Sequence, residues 1–300
     1  MAFSRYLSPV IVSEIIANPS TLKLGGEERE MTVIFTDIRG FSSISEQLED
    51  PKLLVDLLNR YLTAMSNIIM ENLGTIDKYE GDAIIAFFGA PFFHKDHAAL
   101  ACLSALKIKL EEEELNKKIP DDPKADPKLK KAIKDKGLFT RIGINTGKMV
   151  VGNMGAKNKM DYTVMGNAVN LASRLEGVNK FFHTGILISE DTKTKIENKF
   201  ICRTLNRVKV VGIDTPVRPY ELLDLWHEMD TRQTEDLANW EEAIKLFENR
   251  DFEKAEELFS GLLNQNPKDE TVKLYAEWCR KYISSPPPAE WDGIINLTEK

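Results

Sequence analysis

Residues 75–88, TIDKYEGDAIIAFF, decide what kind of sheet this chain builds. Thr75–Tyr79 and Asp82–Phe88 are strand-like runs, and only Glu80-Gly81 stands between them. A two-residue break ending in glycine marks a tight hairpin, because glycine reaches the positive-φ conformations such turns need. Strands that fold back on one another are antiparallel, so the sheet is not purely parallel, although strands and helices alternate elsewhere.

Upstream, residues 31–37 (MTVIFTD) form a short, β-branched, mostly apolar run, the pattern of a buried strand. Between them, Pro51–Leu73 carries Leu53, Leu54, Leu57, Leu58, Tyr61, Leu62, Met65 and Ile68 at helical spacing. The first thirty residues read as a short helix over Pro9–Ala17 and a loop closed by Asn18-Pro19 and Gly25-Gly26. Downstream, a helix is expected from Asp96 to Leu115, and the Lys-, Asp- and Pro-rich stretch 116–137 reads as a solvated insertion or flexible loop. Leu138–Asn145 and Met149–Gly152 suit strands, Asn167–Asn179 a short helix, and Ile186–Ser189 and Arg207–Val211 further strands. The fold class that follows is α/β or α+β, with helices on a mixed sheet.

Three hundred residues allow about two domains at ~150 residues each. Apolar residues make up 42% and charged residues 29%, an ordinary globular composition. The net charge of −7 speaks against long nucleic acid as a partner, since that affinity rests on clustered basic charge. The acidity is uneven: Trp226–Lys300 holds 17 acids against 9 bases, leaving the preceding 225 residues at +1. That break suggests a domain boundary near Trp226. Past it, Ala243, Leu246, Phe252, Ala255, Phe259 and Pro267 fall where a tetratricopeptide helical hairpin would want them, and Thr271–Tyr282 reads as a third, covering helix. No apolar run approaches the ~18 residues of a membrane span, and the first twenty residues lack the order of a signal peptide. Cys102, Cys202 and Cys279 are far apart with no metal-ligand or disulfide spacing, which points to a reducing, cytoplasmic setting.

Two carboxylates stand out. Asp37 ends a strand and Asp82 follows the hairpin turn, so both could meet at one sheet edge if their strands are neighbours. Converging carboxylates suit Mg²⁺ shared with polyphosphate oxygens; a helix cap at Asp37 and a turn role for Asp82 are the plainer alternatives. Asn170 and Arg174 lie four apart and project from one helix face, where an amide and a guanidinium could orient a ribose and neutralise a phosphoryl transition state. Lys78 could face a pocket or water. Arg141 opens the strand RIGIN, a position more often exposed than functional. His94, His97 and His183 show no ligand spacing, and His97 begins a helix.

Four separated motifs, FTDIRGFS (35–42), DKYEGDAIIAFFG (77–89), RIGINTG (141–147) and MGNAVNLASRLE (165–176), resemble in sequence and order the catalytic domain of class III nucleotidyl cyclases, here of the bacterial adenylate cyclase type. The resemblance implies a ferredoxin-like βαββαβ core with a mainly antiparallel sheet, acting as a head-to-tail homodimer with active sites at the interface. It divides the chain into an N-terminal helix and linker (1–29), a catalytic domain (30–225) and a helical, tetratricopeptide-like tail (226–300). By motif match, Asp37 and Asp82, helped by the Ile38 carbonyl, would hold two Mg²⁺ ions, for which Mn²⁺ can substitute. Amides near Phe41 and Ser42, and the Arg141 guanidinium, would contact phosphates. Lys78, from the partner chain, and Thr163 would read the purine; Asn170 would orient the ribose and Arg174 stabilise the pentavalent transition state.

Lysine can donate to adenine N1 but faces the N1–H of guanine, which favours ATP; a threonine hydroxyl both donates and accepts and discriminates less sharply. Relatives often carry a phosphate-binding lysine where this chain has Val211, and Lys209, two residues earlier, is the candidate substitute. Guanylate cyclase, or a weakly catalytic nucleotide-binding module working through its tail, are the alternatives to adenylate cyclase. YLSPVIVSEIIANP (6–19) resembles the linker joining such domains to an upstream sensory or membrane region.

Overall fold

The computed structural model describes residues 11–12, 16–17, 23–196, 199–210, 215–226 and 230–297. The expected Pro9–Ala17 helix and the Asn18-Pro19 break lie mostly outside these. The chain divides into two compact units, Met1–Glu176 and Gly177–Lys300.

In the first unit, strands β1 (Gly25–Ile38), β2 (Thr75–Glu80), β3 (Ala83–Phe88) and β4 (Thr140–Ala156) stand in the order β2-β3-β1-β4, every pair antiparallel. Helices α1 (Phe41–Leu48) and α2 (Pro51–Glu71) connect β1 to β2, while α3 (His97–Asp121) and α4 (Pro127–Lys136) connect β3 to β4. This is the ferredoxin-like βαββαβ order. Strand β5 (Lys159–Met165) folds back along the far end of β4, and helix α5 (Asn167–Phe182) follows it.

An uninterrupted apolar run needs cover on both faces, and β1 has it: Val33 and Ile34 are both fully buried. On one side Met31 and Val33 join Phe87, Met149, Val151, Val164 and Ala172 in a single core cluster. On the other, Thr32 Oγ1 lies 2.7 Å from Nδ1 of His97, the first residue of α3. Helix α2 begins where expected because Pro51 sits at its first turn and the Asp50 carboxylate accepts from the Lys52 N–H. Its buried stripe, Leu57, Tyr61, Met65 and Ile69, recurs every four residues.

Two expectations fail here. Gly25 and Gly26 are not a loop; they are the first residues of β1, opposite Asn153 and Gly152. Strand β4 runs unbroken for 17 residues, so its far end supplies them with ladder partners. Nor is 116–137 a solvated loop. Helix α3 continues to Asp121, and α4 buries Leu129, Ala132 and Ile133, an inner stripe hidden in the sequence by charges on the outer faces. The Asn116 side chain then fastens this segment, donating to the Leu138 carbonyl (2.9 Å) and accepting from the Leu138 N–H (2.6 Å).

In the second unit, β6 (Ile186–Ile188), β9 (Tyr220–Leu225) and β7 (Phe200–Thr204) form an antiparallel set in that spatial order. Helix α6 (Glu190–Lys195) and strands β7 and β9 were not foreseen from the sequence. Of the strand expected over Arg207–Val211, Val208–Lys209 forms β8, paired in parallel with β10 (Ile295–Asn296); Val211 lies outside the described residues. Helices α7 (Thr231–Glu248), α8 (Phe252–Gln265) and α9 (Glu270–Ser284) pack successively. They share an aromatic core of Trp240, Phe247, Phe259 and Tyr275.

That core is bolted to β7. Arg203 donates to Glu221 Oε2 at 2.5 Å and to both Asp269 oxygens at 2.7 and 3.1 Å, and its guanidinium lies 4.6 Å from the Trp240 ring centroid. Trp240 Nε1 donates to the Thr204 carbonyl. All three cysteines are free and buried, and among the described residues no helix is long and apolar enough to cross a membrane.

Candidate active site

Strands β1 and β3 are neighbours, and their register, with Thr36 opposite Ile84, brings the end of β1 to the beginning of β3. There the Ile38 N–H donates to Asp82 Oδ2 at 3.0 Å, so the hairpin carboxylate is tied to the residue after Asp37. Gly81, at φ 66°, makes the turn that delivers Asp82. Burial raises the Asp82 carboxyl above the ordinary range; the Ile38 N–H opposes this and the charge of Asp37 adds to it. Two neighbouring carboxylates, both offering hard oxygen donors, fit a divalent cation. Among the described residues no group of three or more His, Cys, Asp or Glu could hold a metal by itself. Two carboxylates supply only part of a divalent cation's oxygen shell, and oxygens of another molecule would complete it. Just beyond Ile38, Gly40 caps α1 in the left-handed conformation at φ 68° with no side-chain hydrogen bond, and Phe41 and Ser42 form the open first turn.

Arg141 stands opposite Asp37 in the β1–β4 ladder. Its sequence position suggests exposure, but its side chain is only 15% exposed. One terminal nitrogen donates to Asp37 Oδ2 at 2.6 Å, and Nε lies 2.9 Å from Glu176 Oε1. Glu176 was not anticipated, although it closes the motif MGNAVNLASRLE. Burial pushes its carboxyl up to about 7; the attraction of Arg141 opposes this, and the charges of Asp37 and Asp82 reinforce it. Asp37, Arg141, Glu176 and Asp82 thus form one electrostatic cluster.

Glu176 and the residues before it reach the sheet because Gly143 has no side chain. A Cβ there would come 2.2 Å from both the Ala172 carbonyl and the Glu176 nitrogen, so α5 rests directly on β4. Asn145 Nδ2, donating to the Ala168 carbonyl at 2.7 Å, holds the start of the helix. Asn170 is exposed on its first turns, and Arg174, one turn later on the same face, is half-buried.

The two residues expected to read a base also converge. Lys78 lies on β2 and is 46% exposed; Thr163 is buried on β5. Between them is Asp77, which sequence reading passed over inside DKYEGD. Its Oδ2 accepts from Thr163 Oγ1 at 3.0 Å and lies 3.7 Å from Lys78 Nζ. Burial raises the Asp77 carboxyl, with Lys78 and the Thr163 hydroxyl opposing the shift. Lys209 is exposed on β8, in the second unit.

Residues 26–224 match the family described as the adenylate and guanylate cyclase catalytic domain. The chain belongs to that family. This cyclase domain is 34% identical over 208 residues to adenylate cyclase 1 of Rhizobium meliloti, an alignment covering 68% of this chain and 29% of that protein. The crystal structure of the adenylyl cyclase CyaB from P. aeruginosa superimposes with a TM-score of 0.58 at 37% identity, covering 67% of this chain and 97% of that one. The guanylyl cyclase Cya2 superimposes with a TM-score of 0.57 at 33% identity, covering 67% and 95%. The chain spans less than half the length of curated relatives it matches. Adenylate cyclases and a guanylyl cyclase both stand among these matches, and cyclase domains of this family work with divalent metals.

Proposed function

We propose that this chain converts ATP to 3′,5′-cyclic AMP and pyrophosphate, in signal transduction. The observation that carries the reading is the Asp37–Asp82 pair at one sheet edge, where the Ile38 N–H donates to Asp82 and Arg141 donates to Asp37. Asp37 and Asp82, with the Ile38 carbonyl, are the residues to hold two Mg²⁺ or Mn²⁺ ions. Bound there, such ions would acidify the ribose 3′-hydroxyl and draw charge from the triphosphate.

The remaining work belongs to the chain's own residues. The reaction is an in-line attack of the substrate's 3′-oxygen on its α-phosphorus, with pyrophosphate leaving, so positioning and electrostatics dominate. The open first turn at Phe41 and Ser42 offers backbone N–H groups to phosphate oxygens. Arg141 exchanges Asp37 for the terminal phosphates while Glu176 keeps hold of its Nε edge. Asn170 orients the ribose, and Arg174 places a guanidinium against charge that develops only in the transition state. Lys78 donates to adenine N1 beside Thr163, and Lys209 adds a phosphate contact in place of Val211.

Domains of this family act as dimers. A head-to-tail homodimer would complete each site with Lys78, Thr163, Asn170 and Arg174 of one protomer facing Asp37 and Asp82 of the other. The β4–β5 arm supports this reading, since Val150 and Met165, directly paired in its ladder, are large, apolar and exposed. Residues 226–300 are proposed as a tetratricopeptide-like tail, and the linker at the start as the link to an upstream sensory or membrane region, with the catalytic domain (30–225) on the cytoplasmic side. Incubation with ATP or GTP and Mg²⁺ or Mn²⁺, followed by separation of cyclic products, tests the activity. Cyclic AMP from ATP is expected, lost in Asp37→Ala; no cyclic product from either nucleotide would sink the proposal, and cyclic GMP alone would hand it to guanylate cyclase.

A further inference from the structure

In the β2–β3 hairpin the register slips between Ile76 and Lys78, so Asp77 is an extra residue with no partner of its own across the ladder. In a regular strand Asp77 and Lys78 would point to opposite faces and could not serve one site. The bulge re-aims them. Asp77 turns inward, its side chain only 5% exposed, while Lys78 stays near enough for its Nζ to lie 3.7 Å from Asp77 Oδ2. The same oxygen accepts a hydrogen bond from Thr163 Oγ1 at 3.0 Å, and the other, Oδ1, is buried with no hydrogen-bond partner. The carboxylate thus joins two strands at the point where the two proposed base readers meet.

A carboxylate has no hydrogen to give, so the hydrogen in the Thr163–Asp77 contact is the threonine's. A hydroxyl has only one. With it committed to Asp77, Thr163 Oγ1 offers a ligand nothing but lone pairs. We infer that Asp77 is a specificity-determining positioning residue: by fixing the polarity of Thr163 it turns a hydroxyl that suits either purine into an acceptor that suits adenine. The 6-amino group of adenine would donate to that acceptor, whereas the 6-oxo group of guanine would meet lone pair against lone pair. Lys78, a pure donor held beside the same carboxylate, repeats the choice at N1, where adenine accepts and guanine carries a hydrogen. Unmatched polar groups in a closed site are a strong source of discrimination, stronger than shape alone.

The inference rests on the reading of Lys78 and Thr163 as base readers, and one set of variants separates the two. The quantity to measure is the ratio of kcat/KM for ATP to that for GTP in the full chain, for Asp77→Ala, Thr163→Val, Lys78→Glu and the double variant Asp77→Ala/Thr163→Val. Freed from Asp77, Thr163 can donate to guanine, so Asp77→Ala should lower the ratio about tenfold, and it should change nothing further once Thr163 is valine. A ratio unchanged by Asp77→Ala, while Thr163→Val or Lys78→Glu shifts it, overturns the inference and leaves the base readers standing. An equal fall in the Thr163→Val background shows that Asp77 does not act through Thr163 and also overturns it. If neither Thr163→Val nor Lys78→Glu moves the ratio, the base-reader assignment fails and takes the inference with it. Should Asp77→Ala not fold, Asp77→Val, which refills the space without an acceptor, gives the same reading.

Discussion

Glu176 shows how much of this site depends on a residue that never needs to touch substrate. It is 17% exposed and holds the Nε edge of Arg141 while Asp37 holds the other. Burial raises its carboxyl from 4.5 to about 7, so the folded protein binds that proton more tightly than the unfolded chain does. The stability this confers is complete below the unfolded value and is lost as pH rises through about 7. Glu176→Gln, which cannot ionise, escapes that loss. In chelator, the Tm of the variant should gain on that of the parent between roughly pH 5 and pH 8, by the equivalent of about 2 kcal/mol. A constant difference across that range would show that the carboxyl is not held protonated by its surroundings. At this scale the sequence was uneven. Asp37, Asp82, Lys78 and the Asn170–Arg174 pair drew attention because each sits in a motif with a chemical reason, while Thr163, outside those motifs, was named through the family resemblance. Glu176 and Asp77 lie in the same motifs but act through other residues, and the ion pairs of Arg141 depend on a register that a single strand does not reveal.

Elements depend on close approach as much as on propensity. Helix α5 carries Asn170 and Arg174 and can lie on β4 only because residue 143 is glycine; any Cβ would sit 2.2 Å from two backbone atoms of the helix. Gly143→Ala should therefore cost at least about 2–3 kcal/mol and depress activity more than stability explains, since the helix must lift from the sheet. Urea unfolding gives the first and cyclase turnover well below Cm the second; a variant within 0.5 kcal/mol of the parent by order-of-magnitude comparison would refute the steric reading. The hairpin and helix α2 were readable from turn chemistry and apolar spacing, which are local. The stretch 116–137 was misread because charge dominates its composition while its five inward apolar residues, Ile119, Ala125, Leu129, Ala132 and Ile133, do the packing. Gly25-Gly26 resembled a loop because nothing nearby in sequence shows that β4 is long enough to pair with it.

For the whole molecule, the acidic tail is no loose appendage. Its three helices share a core with β7, and Arg203, nearly buried, depends on Glu221 and on Asp269 at the start of α9. Asp269 is held below the ordinary carboxylate range because the attraction and hydrogen bonds of Arg203 and two backbone N–H groups outweigh its burial. Asp269→Asn should destabilise the second unit by on the order of 3 kcal/mol, because it leaves a buried guanidinium half-paired; thermal unfolding checks this, and an unchanged Tm would contradict it. The composition break near Trp226 gave no hint of the Arg203 anchor, which joins residues 66 apart. The proposed active site is shared between two copies of the chain. Mixing Asp37→Ala with Asn170→Ala tests that most directly. Each variant alone should make almost no cyclic AMP, whereas a re-equilibrated equal mixture should recover up to about a quarter of the parental rate, since mixed dimers keep one intact site. A mixture as inactive as its components, in protein shown to form mixed dimers, would contradict the shared site.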